Sequence, residues 1–537
     1  MSLKANSLAG RWIVILLSCA NLAFAALAFA ANDPRLVEAA RGRDREAVRS
    51  LLEQQADVNS TQGDGATALL WTVHWSDLET TDLLIRAGAN VNAANDNGVT
   101  ALWLACTNGS EALVEKLLQA GADPNVSLSR TGETVLMACA RTGNVDAVKR
   151  LLERGADVNA KDRGPQGQTA LMWAVAEKHP EVVRALVEHG ADVRAATKSR
   201  TDIYDRTTGG FTPLLFAARG GDLESARILL AAGADVNEAT PESGNTLVVA
   251  SASHHQELAI FLLEKGANPN SADEYGMTAL HHAVQKGIAN LSAVEYTQAL
   301  PPPPNQPELV KALLARGADP NARIRKDYTL SVAPYRHTSP VSIVGATPFL
   351  LAAAAGDAHI MRLLAERGAD PRLEARESML PMMVAAGMTR LVDFLPGEES
   401  SHLEAVQLAL ELGADINAAT QRGETALHAA AATGADAIVE FLVGKGAQVN
   451  AKDGLGRTPW SRAAGFYPSF GTASANTLVN IRPHPRTAEL LLKLGATRMT
   501  EADFPNPSTL RTRGYVTNTE REQERSRQAN PSSVPVQ

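Results

Sequence analysis

Apolar residues in this chain arrive in short bursts that return about every thirty-three residues. The stretch Gly132 to Asn159, GETVLMACARTGNVDAVKRLLERGADVN, shows the form. A polar lead-in is followed by a compact apolar run, Leu136 to Ala140, and by a polar break at Thr142-Gly143-Asn144. Val145, Val148, Leu151 and Leu152 then recur at helical spacing, which predicts a second helix with one buried stripe. Near copies run from Gly98 to Asn125 and from Gly423 to Asn450. Such a period, with helix–turn–helix content, predicts a stack of repeats rather than separate globular domains.

The polar positions predict where the helices begin and end. Thr134 stands where a hydroxyl can accept an orphan backbone N–H at a helix start. Three copies place proline directly after this threonine, at Thr212-Pro213, Thr347-Pro348 and Thr458-Pro459, which suits the first helical position. Gly155 falls where a left-handed residue closes the second helix. Ala156-Asp157-Val158-Asn159 then predicts a projecting turn.

With a G-x-T-A/P-L core at one end and L-L-x-x-G-A-D-x-N at the other, the unit resembles the ankyrin repeat across roughly Pro34 to Thr497. The resemblance implies an all-α ankyrin-repeat solenoid, about twelve helix–turn–helix repeats with short projecting turns. One feature departs from it. The histidine expected three residues after the threonine survives at His281 and His428; elsewhere the position holds Leu70, Trp103, Met137, Met172, Leu215, Val249, Leu350 or Ser461.

Insertions interrupt the period. Unit ends at Gly88 and Gly121 lie 33 residues apart, but those at Gly266, Gly317 and Gly368 are spaced by 51. Arg194 to Gly209 and Ala322 to Val344 lengthen projecting turns, whereas Ile288 to Pro307, Thr389 to Ser401 and Phe466 to Pro485 lengthen the links between paired helices. One link carries Pro301-Pro302-Pro303-Pro304, a stiff segment that reads as a spacer or as a docking ligand.

Outside the repeats, Lys4 and Arg11 precede an apolar run ending at Ala28-Phe29-Ala30, the layout of a secretory signal peptide over residues 1–30. Membrane anchoring by residues 12–31 is the alternative if it stays uncleaved. The array then spans 31–497, and residues 498–537 form a polar tail without helical period, read as disordered. Cys106 and Cys139 remain after cleavage, in the first helices of adjacent units. Packed helices lie about 8–10 Å apart, so two buried free thiols are expected rather than a bridge, which needs Cα atoms about 4.4–6.8 Å apart.

Chemistry is sought and not found. The formal charge of −8, without a basic block, argues against nucleic acid as partner. No phosphate loop or G-x-S-x-G elbow is present. His254-His255 and His281-His282 fall at opposite ends of a layer, unsuited to converge on a metal. Neither cofactor nor small-molecule substrate is expected.

Surface is what remains. Positions four, seven and eight after the threonine share one face of the first helix, and in ankyrin relatives that face and the turns form a concave binding groove. Here those positions hold Trp71, His74, Trp75, Leu104, Asn108, Arg141, Trp173, Glu177, Phe216 and Arg219. Aromatics and arginine dominate binding hot spots; Trp173 and Phe216 are equally placed to fill core between layers. The expectation is a non-enzymatic scaffold that binds one or more proteins, similar to ankyrin-repeat proteins that bacteria export to the periplasm or beyond. An accessory or inhibitor of an envelope enzyme, and a hydrolase carried on the insertions, are the alternatives.

Overall fold

The structure is a computed structural model that describes residues 34–201, 207–291, 304–326, 342–388, 390, 393–465, 483–500 and 503. The expected signal peptide, nearly all of the polar tail, Pro301 to Pro303 and most of the insertions at Ala322–Val344 and Phe466–Pro485 lie outside the described residues. Two compact units meet between Glu242 and Ser243. No helix among the described residues is long and apolar enough to cross a membrane.

In the first unit, helix pairs repeat from Arg35–Arg41 with Arg45–Glu53 to Pro213–Gly220 with Leu223–Ala231. Threonine starts each first helix after the opening pair. The Oγ1 atoms of Thr67, Thr100, Thr134, Thr169 and Thr212 each accept from the backbone N–H three residues on. Asp44, Asp77, Asn144 and Asp222 do the same for second helices. Neighbouring first helices contact one another, as do neighbouring second helices. Val148 and Leu151 are fully buried between them, while Val145 and Leu152 lie half-exposed at the edges of the stripe.

The second unit uses the same rules from Thr246–Ala252 to Pro485–Lys493. Thr246 is not the cap that its threonine alignment implies. Asn245 is, its side chain accepting from Val248 N–H, so Val248 rather than Val249 is the third residue after the cap. Thr278 and Thr425 keep the histidine link: His281 Nε2 lies 3.4 Å from Ala346 O and His428 Nε2 lies 3.0 Å from Arg457 O, each tying one repeat to the next. The helix Pro381–Ala385, which starts without a threonine, has only five residues. Met382 and Met383 are buried in it as core. Among the insertions, Arg200–Thr201 pairs antiparallel with Thr207–Thr208 as a small hairpin.

Cys106 and Cys139 overturn the expectation of free thiols: they form a disulfide, with Cα atoms 4.6 Å apart. The 8–10 Å spacing describes helices held apart by medium-sized side chains. Here the first helices are rich in small buried residues, among them Ala101, Ala105, Ala138 and Ala140, and a position-six residue meets a position-five residue of the next repeat.

A second tie between repeats was read in the sequence only as a turn. The asparagine closing Gly-Ala-Asp-x-Asn reaches the next repeat. Asn92 Nδ2 donates to Gly121 O and Asn92 Oδ1 accepts from Asp123 N–H. Asn125 makes the same pair with Gly155 and Asp157, as does Asn321 with Gly368 and Asp370. In these repeats the glycine carbonyl just past the second helix is thereby satisfied by the neighbouring repeat.

Candidate functional site

The residues singled out at positions four, seven and eight all lie in the first unit. The structure gathers them into separate clusters. In the first, Trp71 and Trp75 stack with centroids 6.2 Å apart, and the His74 ring sits edge-on to Trp75 at 4.5 Å. Both indoles are half-buried. Trp71 Nε1 donates to Gln62 Oε1 at 3.2 Å, and Trp75 Nε1 donates to Arg41 O at 3.2 Å. Two arginines complete the cluster: Arg41 lies 5.5 Å from the Trp71 ring centroid and Arg43 lies 3.9 Å from that of Trp75.

Arg41 and Arg43 were missed by sequence reasoning. They belong to the opening helix pair, which lacks the threonine that sets the count. Arg43 nevertheless carries a signal in its backbone. It takes φ 59°, as does its equivalent Ser76 at 55°, where later repeats use Gly109 and Gly143. A side chain in this region is strained, and here it places a guanidinium over the Trp75 face, where it is attracted by the ring quadrupole.

Asn108 is exposed and also ties repeats together. Its Nδ2 donates to Val73 O at 2.9 Å and lies 3.2 Å from His74 O, locking one repeat to the previous one. Leu104 is half-buried beside it and Glu177 is exposed. In a second cluster Arg141 lies 5.6 Å from the Trp173 centroid and pairs with Glu133 at 3.1 Å. Burial pushes the Glu133 carboxyl up, against the pull of Arg141. Trp173 is half-buried, and its Nε1 is buried without an acceptor among the described residues. In the third, Arg219 lies 5.0 Å from the rings of both Phe211 and Phe216. Phe216 is only 5% exposed. Of the two placements the sequence leaves open for it, this burial favours core, and the Phe211 ring, unremarked in the sequence, lies 5.7 Å away.

No group of three or more potential metal ligands converges among the described residues. The arrangement offers recognition chemistry: half-buried aromatic rings with guanidinium groups beside them.

Residues 36–324 and 398–453 are covered by overlapping matches to the family described as ankyrin repeats (3 copies), and residues 344–375 match the single ankyrin repeat. Among curated proteins, ankyrin repeat and SOCS box protein 16 of Homo sapiens is 32% identical over 252 residues, 41% of this chain and 48% of that protein. B-cell lymphoma 3 protein homolog of Mus musculus is 34% identical over 203 residues, 38% of this chain and 36% of that protein. The E3 ubiquitin-protein ligase KEG of Arabidopsis thaliana is 24% identical over 50% of this chain and 16% of its own length. The chain thus spans about half or less of these relatives. The crystal structure of the human ASB11 ankyrin repeat domain is similar with a TM-score of 0.36 at 25% identity, over 44% of this chain and 98% of that one. Ankyrin repeats generally mediate protein–protein interaction. With family matches over more than half its length, this chain belongs to the ankyrin-repeat family.

Proposed function

We propose that the chain is an exported, non-enzymatic binding protein that captures a partner protein on the first-helix face of its first unit. The observation that carries this reading is Trp75: half-buried, stacked on Trp71, and held under Arg43 at 3.9 Å. A pre-ordered aromatic edge beside fixed cations loses little conformational freedom on binding, which is the property of a hot spot. Export to an oxidising compartment, such as a bacterial periplasm, is supported by the Cys106–Cys139 disulfide together with the layout of residues 1–30.

The test is parallel affinity capture from the native envelope with the wild-type protein and Trp75→Ala, read by mass spectrometry. A protein recovered by the first and lost by the second, with the two melting within about 1 kcal/mol of each other, is expected for a surface change. Equal recovery by a stable Trp75→Ala protein removes this face as the binding site.

A further inference from the structure

The second unit contains a cleft that the aromatic face does not explain. Its volume is about 200 Å³, and four arginines line it: Arg376, Arg390, Arg422 and Arg462. Two glutamates, Glu377 and Glu424, line it with them. The acidic groups are already engaged. Arg422 Nη2 lies 3.2 Å from Glu377, while Arg462 Nη1 and Arg457 Nη2 share Glu424 at 3.2 Å each. The lining therefore holds an excess of positive charge.

Small residues line one wall of the cleft. Position four holds Ala429, position seven holds Ala432, and Gly387 closes one end. A Cβ at Gly387 would fall 2.9 Å from Thr433 Oγ1, so only glycine permits this approach.

Arg390 is the most informative member. Its side chain is 10% exposed, it lies 4.5 Å from the Phe394 ring centroid, and Nη2 pairs with Glu398 at 2.9 Å. Its Nε is buried with no hydrogen-bond acceptor among the described residues. A guanidinium so far from water and one donor short is completed by an added oxygen acceptor.

The cleft also has a direction. Arg376 and Glu377 line both it and an open trough along the neighbouring turns, which Arg323 and Arg372 border together with Leu373 and Glu374. A nucleic-acid track needs a continuous basic stripe. Carboxylates interrupt this one, and apolar Met379, Met388 and Leu373 intervene. That alternation suits an extended peptide carrying spaced carboxylates.

We infer that this cleft and trough bind an acidic, extended segment of a partner protein, with one carboxylate seated among Arg390, Arg422 and Arg462. This is a second site, independent of the aromatic face, and its variants leave that face untouched.

The probe is a fluorescein-labelled peptide alternating Glu with Leu, compared with its Gln counterpart, titrated by anisotropy against the full chain. The Glu peptide is expected to bind with an affinity that falls as salt rises, and the Gln peptide to bind at least about tenfold more weakly, the size of a charge-assisted contact. Arg422→Glu, at an exposed position, should weaken the Glu peptide by about as much. Ala432→Trp should block binding by filling the cleft without changing charge, its fold checked by circular dichroism. Equal binding of both peptides, or binding that a folded Ala432→Trp protein retains, overturns the inference. So does a short single-stranded DNA that binds as tightly as the Glu peptide, which would make the cleft a general anion site.

Discussion

Individual repeats of the two units carry very different side chains at the fourth position of the first helix, and the arginines beside them differ in their neighbours. In the first unit Trp71, Trp173 and Phe216 occupy that position, with arginines 5.0–5.6 Å from their ring centroids. In the second, Val384 and Ala429 occupy it, and the arginines line a cleft, Arg422 and Arg462 paired with carboxylates and Arg390 set between Glu398 and the Phe394 ring. Both outcomes follow from one rule. A guanidinium near a low-dielectric wall is stabilised by a π face or by an anion, whichever the neighbouring repeat supplies. The same scaffold therefore offers a pre-filled aromatic edge in one unit and an unfilled cationic cleft in the other.

The largest expected effect tests whether the units respond separately. Leu151→Ala in the first unit and Leu442→Ala in the second remove equivalent, fully buried side chains. Each should cost about 2–5 kcal/mol, and because each repeat touches only its neighbours the loss should stay local. Peptide-resolved hydrogen exchange should show faster exchange around the mutated repeat and little change in the other unit. Uniform acceleration throughout would mean that the array unfolds as one cooperative block.

The disulfide should mark the first unit alone. Replacing Cys106 and Cys139 together by alanine opens a covalent loop of 33 residues and should cost about 2–4 kcal/mol, mostly through the unfolded state. The wild-type protein, denatured without reductant, should resist alkylation and weigh two hydrogens less than its reduced form. Two freely alkylated thiols in protein from the native host would remove both the bridge and the support it lends to export.

Acid should separate the units next. His281 and His402 in the second unit are buried, and burial holds both near 4, below the usual 6.5. The unfolded chain therefore takes up protons first, and stability should fall as pH drops from 6.5 towards 4. In the first unit, burial raises Glu238 to about 7 from 4.5, although its contact with Thr212 pulls the other way. There the folded state holds the proton, so stability should rise as pH drops from 7 to 4.5. Hydrogen exchange at pH 7 and pH 5, corrected for intrinsic rates, should show the second unit loosening relative to the first. Glu238→Gln should flatten the first unit's response. Equal loosening of both units would break the asymmetry.

What the sequence made legible was whatever rests on one residue acting within its own repeat. Threonine caps, first-position prolines and the buried Leu151 face are of this kind, because the repeated pattern states them many times. Features made between repeats were hidden. The disulfide needed the distance between two first helices, which no single residue states. Arg43 reaches Trp75 from a repeat without the counting threonine. The cleft is an absence of side-chain volume, and Ala429, Ala432 and Gly387 each read as ordinary small helix residues until placed side by side. Asn245 took the cap from Thr246 because either side chain can serve, and the backbone path chose between them.

The smallest effect concerns a missing rung in the asparagine ladder. Both units replace the asparagine once by arginine, at Arg194 and at Arg372. Arg194 still does the work: Nε and Nη2 lie 3.2 and 3.0 Å from Gly233 O, so that carbonyl is satisfied. Arg372 turns back on its own turn instead, its Nε donating to Asp370 Oδ1 at 3.0 Å, and its side chain is 73% exposed. An exposed pair of this kind is screened by solvent and contributes little. Arg372→Asn gives that up and supplies an amide where other repeats use one. By analogy with Asn321, its Nδ2 would donate to Gly413 O and its Oδ1 would accept from Asp415 N–H. Two backbone-directed bonds outweigh one screened ion pair, so Arg372→Asn should stabilise the second unit by roughly 0.5–1 kcal/mol. Arg194→Asn, which exchanges one satisfied rung for another, should change the first unit by less. Urea melts of the two variants decide it. A destabilised Arg372→Asn protein would mean that Arg372 is held for the trough it borders, and that a basic residue there is retained at the expense of the ladder.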